Sequence, residues 1–204
     1  MHDKFLKDLL KLIQQGAKDY DLEFYKKNSS FNQFDFLDAK EQDFYEGSLA
    51  DLNYIRLEMR QMLYRIFIVS VFILIEKRLS DFCNVLQKNK KQIFSYKDLG
   101  RSNIKAMTTY IQKLTGENLL VELKIAEQLS IFTAVRNLIV HKNGYVDEDT
   151  KNKLKKYSEE SPHCFKFSKD DEIIFDNDRY LVDVMNIGIE IDKKIRSKEI
   201  KLIN

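Results

Sequence analysis

Apolar side chains recur at helical spacing from the start of the chain. Phe5, Leu9 and Ile13 fall on one stripe with Leu6 and Leu10 beside it, the repeat of an amphipathic helix. The spacing predicts a docking helix over residues 3–15, with Asp3 as N-cap and Gly16 just past the end. Between 19 and 51 the periodicity dissolves. Carboxylates there alternate with aromatics such as Phe24, Phe31, Phe36 and Phe44, which reads as a connection wrapping over the core. Residues 49–88 contain neither glycine nor proline, and Leu52, Ile55, Leu57, Met62 and Leu63 lead into an apolar run over 66–75 broken only by Ser70. One long central helix is predicted. The run is far shorter than the about 20 residues a membrane span needs, so it belongs to a core.

Two further helices follow in the pattern. One covers 103–114 and stops at Gly116; the other begins near 117, reaches His141 and ends at Asn143-Gly144 in the manner of a left-handed C-cap. A lysine-rich helical turn comes next. Residues 164–167 and 173–175 then flank Lys169-Asp170-Asp171 as a small hairpin, and a terminal helix covers 178–195. The predicted fold class is mainly all-α, a helical bundle with a long central helix and a small β-hairpin near the C-terminus. Its two segments are 1–50, the amphipathic helix with its acidic aromatic wrap, and 51–204, the main helical domain, together forming one compact unit.

Composition narrows the chemistry. A chain of 204 residues with 44% hydrophobic content buries a core without staples, and six glycines with one proline disfavour a turn-rich sandwich. Cys83 and Cys164 are too far apart in sequence to suggest a disulfide or zinc framework; they read as free thiols in a reducing, cytoplasmic setting. The opening MHDKFLKDLL carries Asp3 and Asp8 among its apolar residues and does not read as a secretory signal. The scattered glycines exclude phosphate-cradling loops and dinucleotide fingerprints, and the serine-hydrolase and zinc-protease motifs are missing. His163-Cys164 alone do not make a metal site, and no cofactor is expected. Formal charge is only +2, yet Lys88, Lys90, Lys91, Lys97, Arg101, Lys105 and Lys113 face Asp98 alone in their stretch. Such a run is a solvated face or the footprint of a polyanion.

The informative segment is residues 131–144. From Ile131 to Val140 only Thr133, Arg136 and Asn137 are polar, so the helix is expected to be buried on most faces. A guanidinium there costs several kcal/mol if unpaired, so something besides stability would retain it. Asn137 and His141 share a face, whereas Arg136 lies about 140° round the axis from His141. Within one chain the two diverge; a twofold partner would gather two of each into one cleft. Transesterification at a ribose 2′-hydroxyl needs a proton acceptor, a proton donor and cations around the phosphorane. Histidine and arginine suit these tasks, and Asn137 is positioned to hold the imidazole or a phosphate. Two plainer readings stand beside this: Arg136 pairing with a carboxylate such as Glu76, and His141 interacting with the last carbonyls of its helix.

Arg136-Asn137-x-x-x-His141, followed by Asn143-Gly144 at the end of a long helix, resembles the HEPN superfamily (higher eukaryotes and prokaryotes nucleotide-binding), whose signature is Arg-x4-6-His. The resemblance covers about residues 54–195 in helix order, and its specific content lies within 136–144. It implies a dimerising helical bundle and a metal-independent endoribonuclease, as in toxins and antiviral effectors, with Arg136 and His141 as the catalytic pair and Asn137 as the polar residue that commonly follows the arginine. RNA, a second copy of the chain and a neutralising antitoxin or regulator are the implied partners. Lys88, Lys90, Lys91, Lys97, Arg101, Lys105 and Lys142 would attract the RNA backbone. One departure is that HEPN toxins paired with a minimal nucleotidyltransferase carry a tyrosine two residues after the histidine. Here Asn143 stands there and Tyr145 comes four after. The alternative function is a dimeric helical module that binds RNA, a nucleotide or a partner protein without cutting.

Overall fold

The computed structural model describes residues 3–31, 39–100, 103–123, 125–160 and 164–203. Seven α-helices carry this part of the chain: α1 (Asp3–Phe31), α2 (Ala39–Asn89), α3 (Ile104–Thr115), α4 (Leu119–Leu123), α5 (Ala126–Lys142), α6 (Glu148–Glu160) and α7 (Arg179–Ile203). A two-stranded antiparallel hairpin, β1 (Lys166–Phe167) and β2 (Ile173–Ile174), joins α6 to α7. The fold is mainly all-α, with the long helix and the small hairpin where the sequence puts them. Among the described residues, no helix is long and apolar enough to cross a membrane.

α2 is the pillar. Phe67, Val71, Ile75, Leu79, Phe82 and Leu86 are all buried, a stripe at three- and four-residue steps that faces α1, α7, α3 and α5. α1 runs on well past its expected end and absorbs part of the segment predicted as a wrap. Gly16 lies inside it, where an added Cβ would stand 3.3 Å from Leu63 Cδ1. This glycine marks close helix packing rather than a helix stop. The buried stripe of α1 is Leu6, Leu10, Ile13 and Ala17, while Phe5 is half exposed, so the core face is turned by one position from the one predicted. Beyond Gly16, Asp21 receives Arg56 and Arg60 from α2, and the Arg56 guanidinium sits 4.7 Å over the Phe24 ring. These contacts reward continued helix. α2 likewise begins at Ala39, within the predicted wrap, and residues 32–38 of that segment lie outside the described part.

A second correction concerns the helix expected from 117 to 141. It is split into α4 and α5, with Ile125 leaving helical geometry at φ −112°, ψ 7° and its N–H reaching Leu120 O at 3.3 Å. Burial explains the break, since Leu119 and Ile125 both enter the core and a straight helix would carry them to different sides of the axis. α3 keeps its predicted frame: Asn103 Oδ1 accepts from Ala106 N–H, and Gly116 closes it at φ 76°.

α7 is tied to α2 by charge as well as packing. Arg78 donates to Asp192 at 2.7 Å and to Glu199 at 2.6 and 2.9 Å, and Arg196 also reaches Asp192. The Asp192 side chain is 1% exposed. Burial pushes its carboxyl up, but hydrogen bonds and nearby positive charge, with the Arg78 bond foremost, leave it below the usual carboxylate range. The folded state therefore binds this proton more weakly than the unfolded chain, so the contribution is present above about pH 4 and fades as acid takes the folded carboxyl through its own pKa. Asp192→Asn should cost about 3 kcal/mol at pH 7 in urea denaturation. The gap from wild type should narrow progressively below about pH 4.

Candidate functional site

α5 crosses α2 with its C-terminus toward the N-terminal part of the pillar: Phe132 meets the Phe72 ring edge-on at 5.4 Å, and further along Gly144 lies against Arg65. Leu129, Ile131, Phe132, Val135 and Leu138 form its buried side. The opposite side is open, contrary to the expectation of burial on most faces. Ser130, Asn137, Val140 and His141 are exposed there, because the elements packed against α5 leave this side uncovered. On α2 an apolar stripe is left uncovered by the described elements: Met62, Ile66 and Ile73 are 52%, 46% and 53% exposed.

Arg136 stands at the edge between the two sides. Its guanidinium lies 4.9 Å over the centroid of the Phe72 ring, a cation on the negative face of an aromatic. Nη1 donates to Asn137 Oδ1 at 3.0 Å. Nε is shielded from solvent and has no hydrogen-bond partner among the described residues. Glu76, one turn along α2 from Phe72, feels this cation. Burial raises its carboxyl above the ordinary value, and the nearby Arg136 charge pulls the other way. No ion pair within 4 Å joins them among the described residues, so the plain Arg136–Glu76 bridge is not the arrangement found. Asn137 turns to the arginine rather than to the imidazole.

His141 sits in the last turn of α5, exposed, with no hydrogen bond or ion pair among the described residues. What fixes it is the turn that follows. Asn143 adopts the left-handed conformation (φ 54°, ψ 27°) and Gly144 extends it (φ 92°), with both amides donating to Leu138 O. Chain reversal then lets Gly144 O accept from Ile173 N–H and Val146 N–H donate to Asp171 O, each at 3.0 Å, stitching the exit of α5 to the hairpin. Arg65 bolts this turn from below: Nη2 donates to Glu172 at 2.5 Å and lies 2.9 Å from where a Gly144 Cβ would be. Neither Arg65 nor Glu172 is singled out by sequence spacing, because their meeting depends on a hairpin and a helix far apart in the chain.

The basic residues do not form one surface. Lys88, Lys90, Lys91 and Lys97 cluster at the far end of α2 and just beyond it, roughly 24 Å along the helix from Phe72 at about 1.5 Å per residue. Arg101 lies outside the described residues, as does His163. Lys142 is held by Asp147, whose carboxyl falls well below its usual range through that bond and the Thr150 N–H. Lys105 borders the α5 site, in a groove that Asn137 also lines. Burial pushes the Cys83 thiol up to about 12 and the Cys164 thiol up to about 11, so neither is a ready nucleophile. Among the described residues no three His, Cys, Asp or Glu side chains converge as metal ligands.

The turn makes a direct stability prediction. Gly144→Ala should lower stability by about 2 kcal/mol, because it combines a positive φ with the close approach of Arg65. Gly116→Ala, at positive φ but with open space around it, should cost less. Paired thermal melts read the difference.

Set against protein-family models, curated proteins and solved structures, the chain finds no match in any of the three.

Proposed function

We propose that the chain is a HEPN-type, metal-independent endoribonuclease that works as a homodimer, in the cytoplasm, as a toxin or antiviral effector restrained by an antitoxin or regulatory partner. The observation that carries this reading is Arg136: a guanidinium partly withdrawn from water, oriented by Phe72 and Asn137, with no carboxylate within 4 Å among the described residues. Asn137 takes a single donor of the guanidinium, so the fork keeps donors for an anionic oxygen. A phosphodiester is the natural match for the planar fork.

The uncovered apolar stripe of Met62, Ile66 and Ile73, together with Val140, supports the dimer. A twofold partner seated on it would bring a second copy of Arg136 and His141 to one shared cleft. In the proposed reaction the 2′-oxygen attacks phosphorus and the P–O5′ bond breaks, leaving a 2′,3′-cyclic phosphate and a 5′-hydroxyl. One His141 takes the 2′-hydroxyl proton. The partner's His141 protonates O5′, while Arg136 neutralises the phosphorane and Asn137 keeps its guanidinium in place.

Purified protein incubated with RNA in chelator should cut it, and His141→Ala should slow cleavage by about 100-fold or more. Arg136→Met should abolish cleavage while leaving the melting temperature equal or higher, since an apolar group of similar length removes an uncompensated charge. Early melting of Arg136→Met would mark the arginine as structural, and cleavage undiminished in both variants would remove the site from the reaction. Ile66→Glu should yield monomers by sedimentation and lose activity in parallel.

A further inference from the structure

Between α3 and α5, with Phe72 of α2 at its base, lies a groove of about 460 Å³. That is within the roughly 300–1,000 Å³ of small-molecule sites. Its floor is apolar, from Phe72, Ile104 and Leu129, and its rim carries two cations, Lys105 and Lys153. No carboxylate is among its described lining residues. Lys153 Nζ is tethered to Ser130 Oγ at 2.9 Å, which holds this flexible side chain beside α5 and leaves its charge uncompensated by that neutral partner. Lys105 has no ion pair among the described residues. At one end the groove is bounded by Asn137, the same residue whose Oδ1 accepts from Arg136. With its oxygen so engaged, the amide's Nδ2 is the end free to donate.

We propose that this groove holds the base of the nucleotide adjoining the scissile phosphate, so that the enzyme's preference at the cut is read between α3 and α5. The inference rests on the ribonuclease reading for the word "scissile" and on the groove alone for the nucleotide. A flat base over an apolar floor, with phosphates reaching two rim cations, matches the lining in both shape and charge. Asn137 links the two halves: it steadies the guanidinium that meets the phosphate and offers a donor to an acceptor on the base edge. The linkage explains why a site built around phosphate would discriminate among sequences at all, since phosphate contacts alone carry no base information.

The test binds each of the four ribonucleoside 3′-monophosphates, with inorganic phosphate as control, to wild type and to two variants. Ala126→Trp fills the groove from an exposed position on α5, and Lys105→Ala/Lys153→Ala removes the rim charge. At least one monophosphate should bind more tightly than phosphate. Each variant should weaken it by about tenfold, equivalent to about 1.4 kcal/mol, with melting unchanged, and in cleavage assays Ala126→Trp should flatten the base preference at the cut. Either variant suffices if the other melts early, because they act on the groove by different means. No monophosphate binding better than phosphate, or binding unaltered in a folded variant, overturns the proposal. Variant-sensitive binding by a protein that never cuts RNA would keep the groove and discard the nuclease. Cleavage dependent on Arg136 and His141, with a pattern indifferent to the groove variants, would do the reverse.

Discussion

The contact of the Arg136 guanidinium with the Phe72 ring is where the packing of this bundle meets its chemistry. Phe72 belongs to the core stripe of α2 and is also struck edge-on by Phe132, so its orientation is set from both helices. A cation resting on that ring inherits the rigidity of the core. Asn137 completes the restraint through one hydrogen bond on its own helix. The arginine is thus positioned by groups that do not neutralise it, which distinguishes it from Arg78. Arg78 spends its donors on Asp192 and Glu199 and serves as a tie between α2 and α7.

The second residue of the pair is controlled by different means. Among the described residues His141 has no side-chain partner, and its location depends on where α5 stops. That end point is set by backbone geometry at Asn143 and Gly144, and the geometry is locked because the outgoing strand pairs with the hairpin and Arg65 fills the space a side chain at 144 would take. The small hairpin near the C-terminus therefore has a definite role. It anchors the exit of α5, and its Glu172 holds the arginine beneath the turn.

Much of this was legible in the sequence, for identifiable reasons. The α2 pillar followed from an apolar run without glycine or proline, the limits of α3 from Asn103 and Gly116, and the end of α5 from the Asn-Gly pair, all of them local signals. The failures were tertiary. Gly16 looked like a stop because the reading could not know that Leu63 lies against it. The segment after it looked irregular because the reward for helix there comes from Arg56 and Arg60 across on α2. The site divides the same way. Arg136, Asn137 and His141 stand out by being polar or basic in an apolar helix, whereas Phe72, Arg65 and Lys153 are ordinary residues until folding gives them their neighbours.

Charge along the chain follows one further rule. The lysines at the end of α2 are remote from Arg136, and among the described residues lining the groove beside it the cations are Lys105 and Lys153. A sequence window weights neighbours in the chain; a polyanion feels neighbours in space, and at ordinary ionic strength an exposed charge more than about 10 Å away is largely screened. For the RNA proposed as substrate, Lys88 and its companions would therefore raise the rate of encounter without fixing its register. In the proposed complex, registration would fall to the sparse charges beside α5, where a strand lying across the groove would meet Lys105 and Lys153 as well as Arg136.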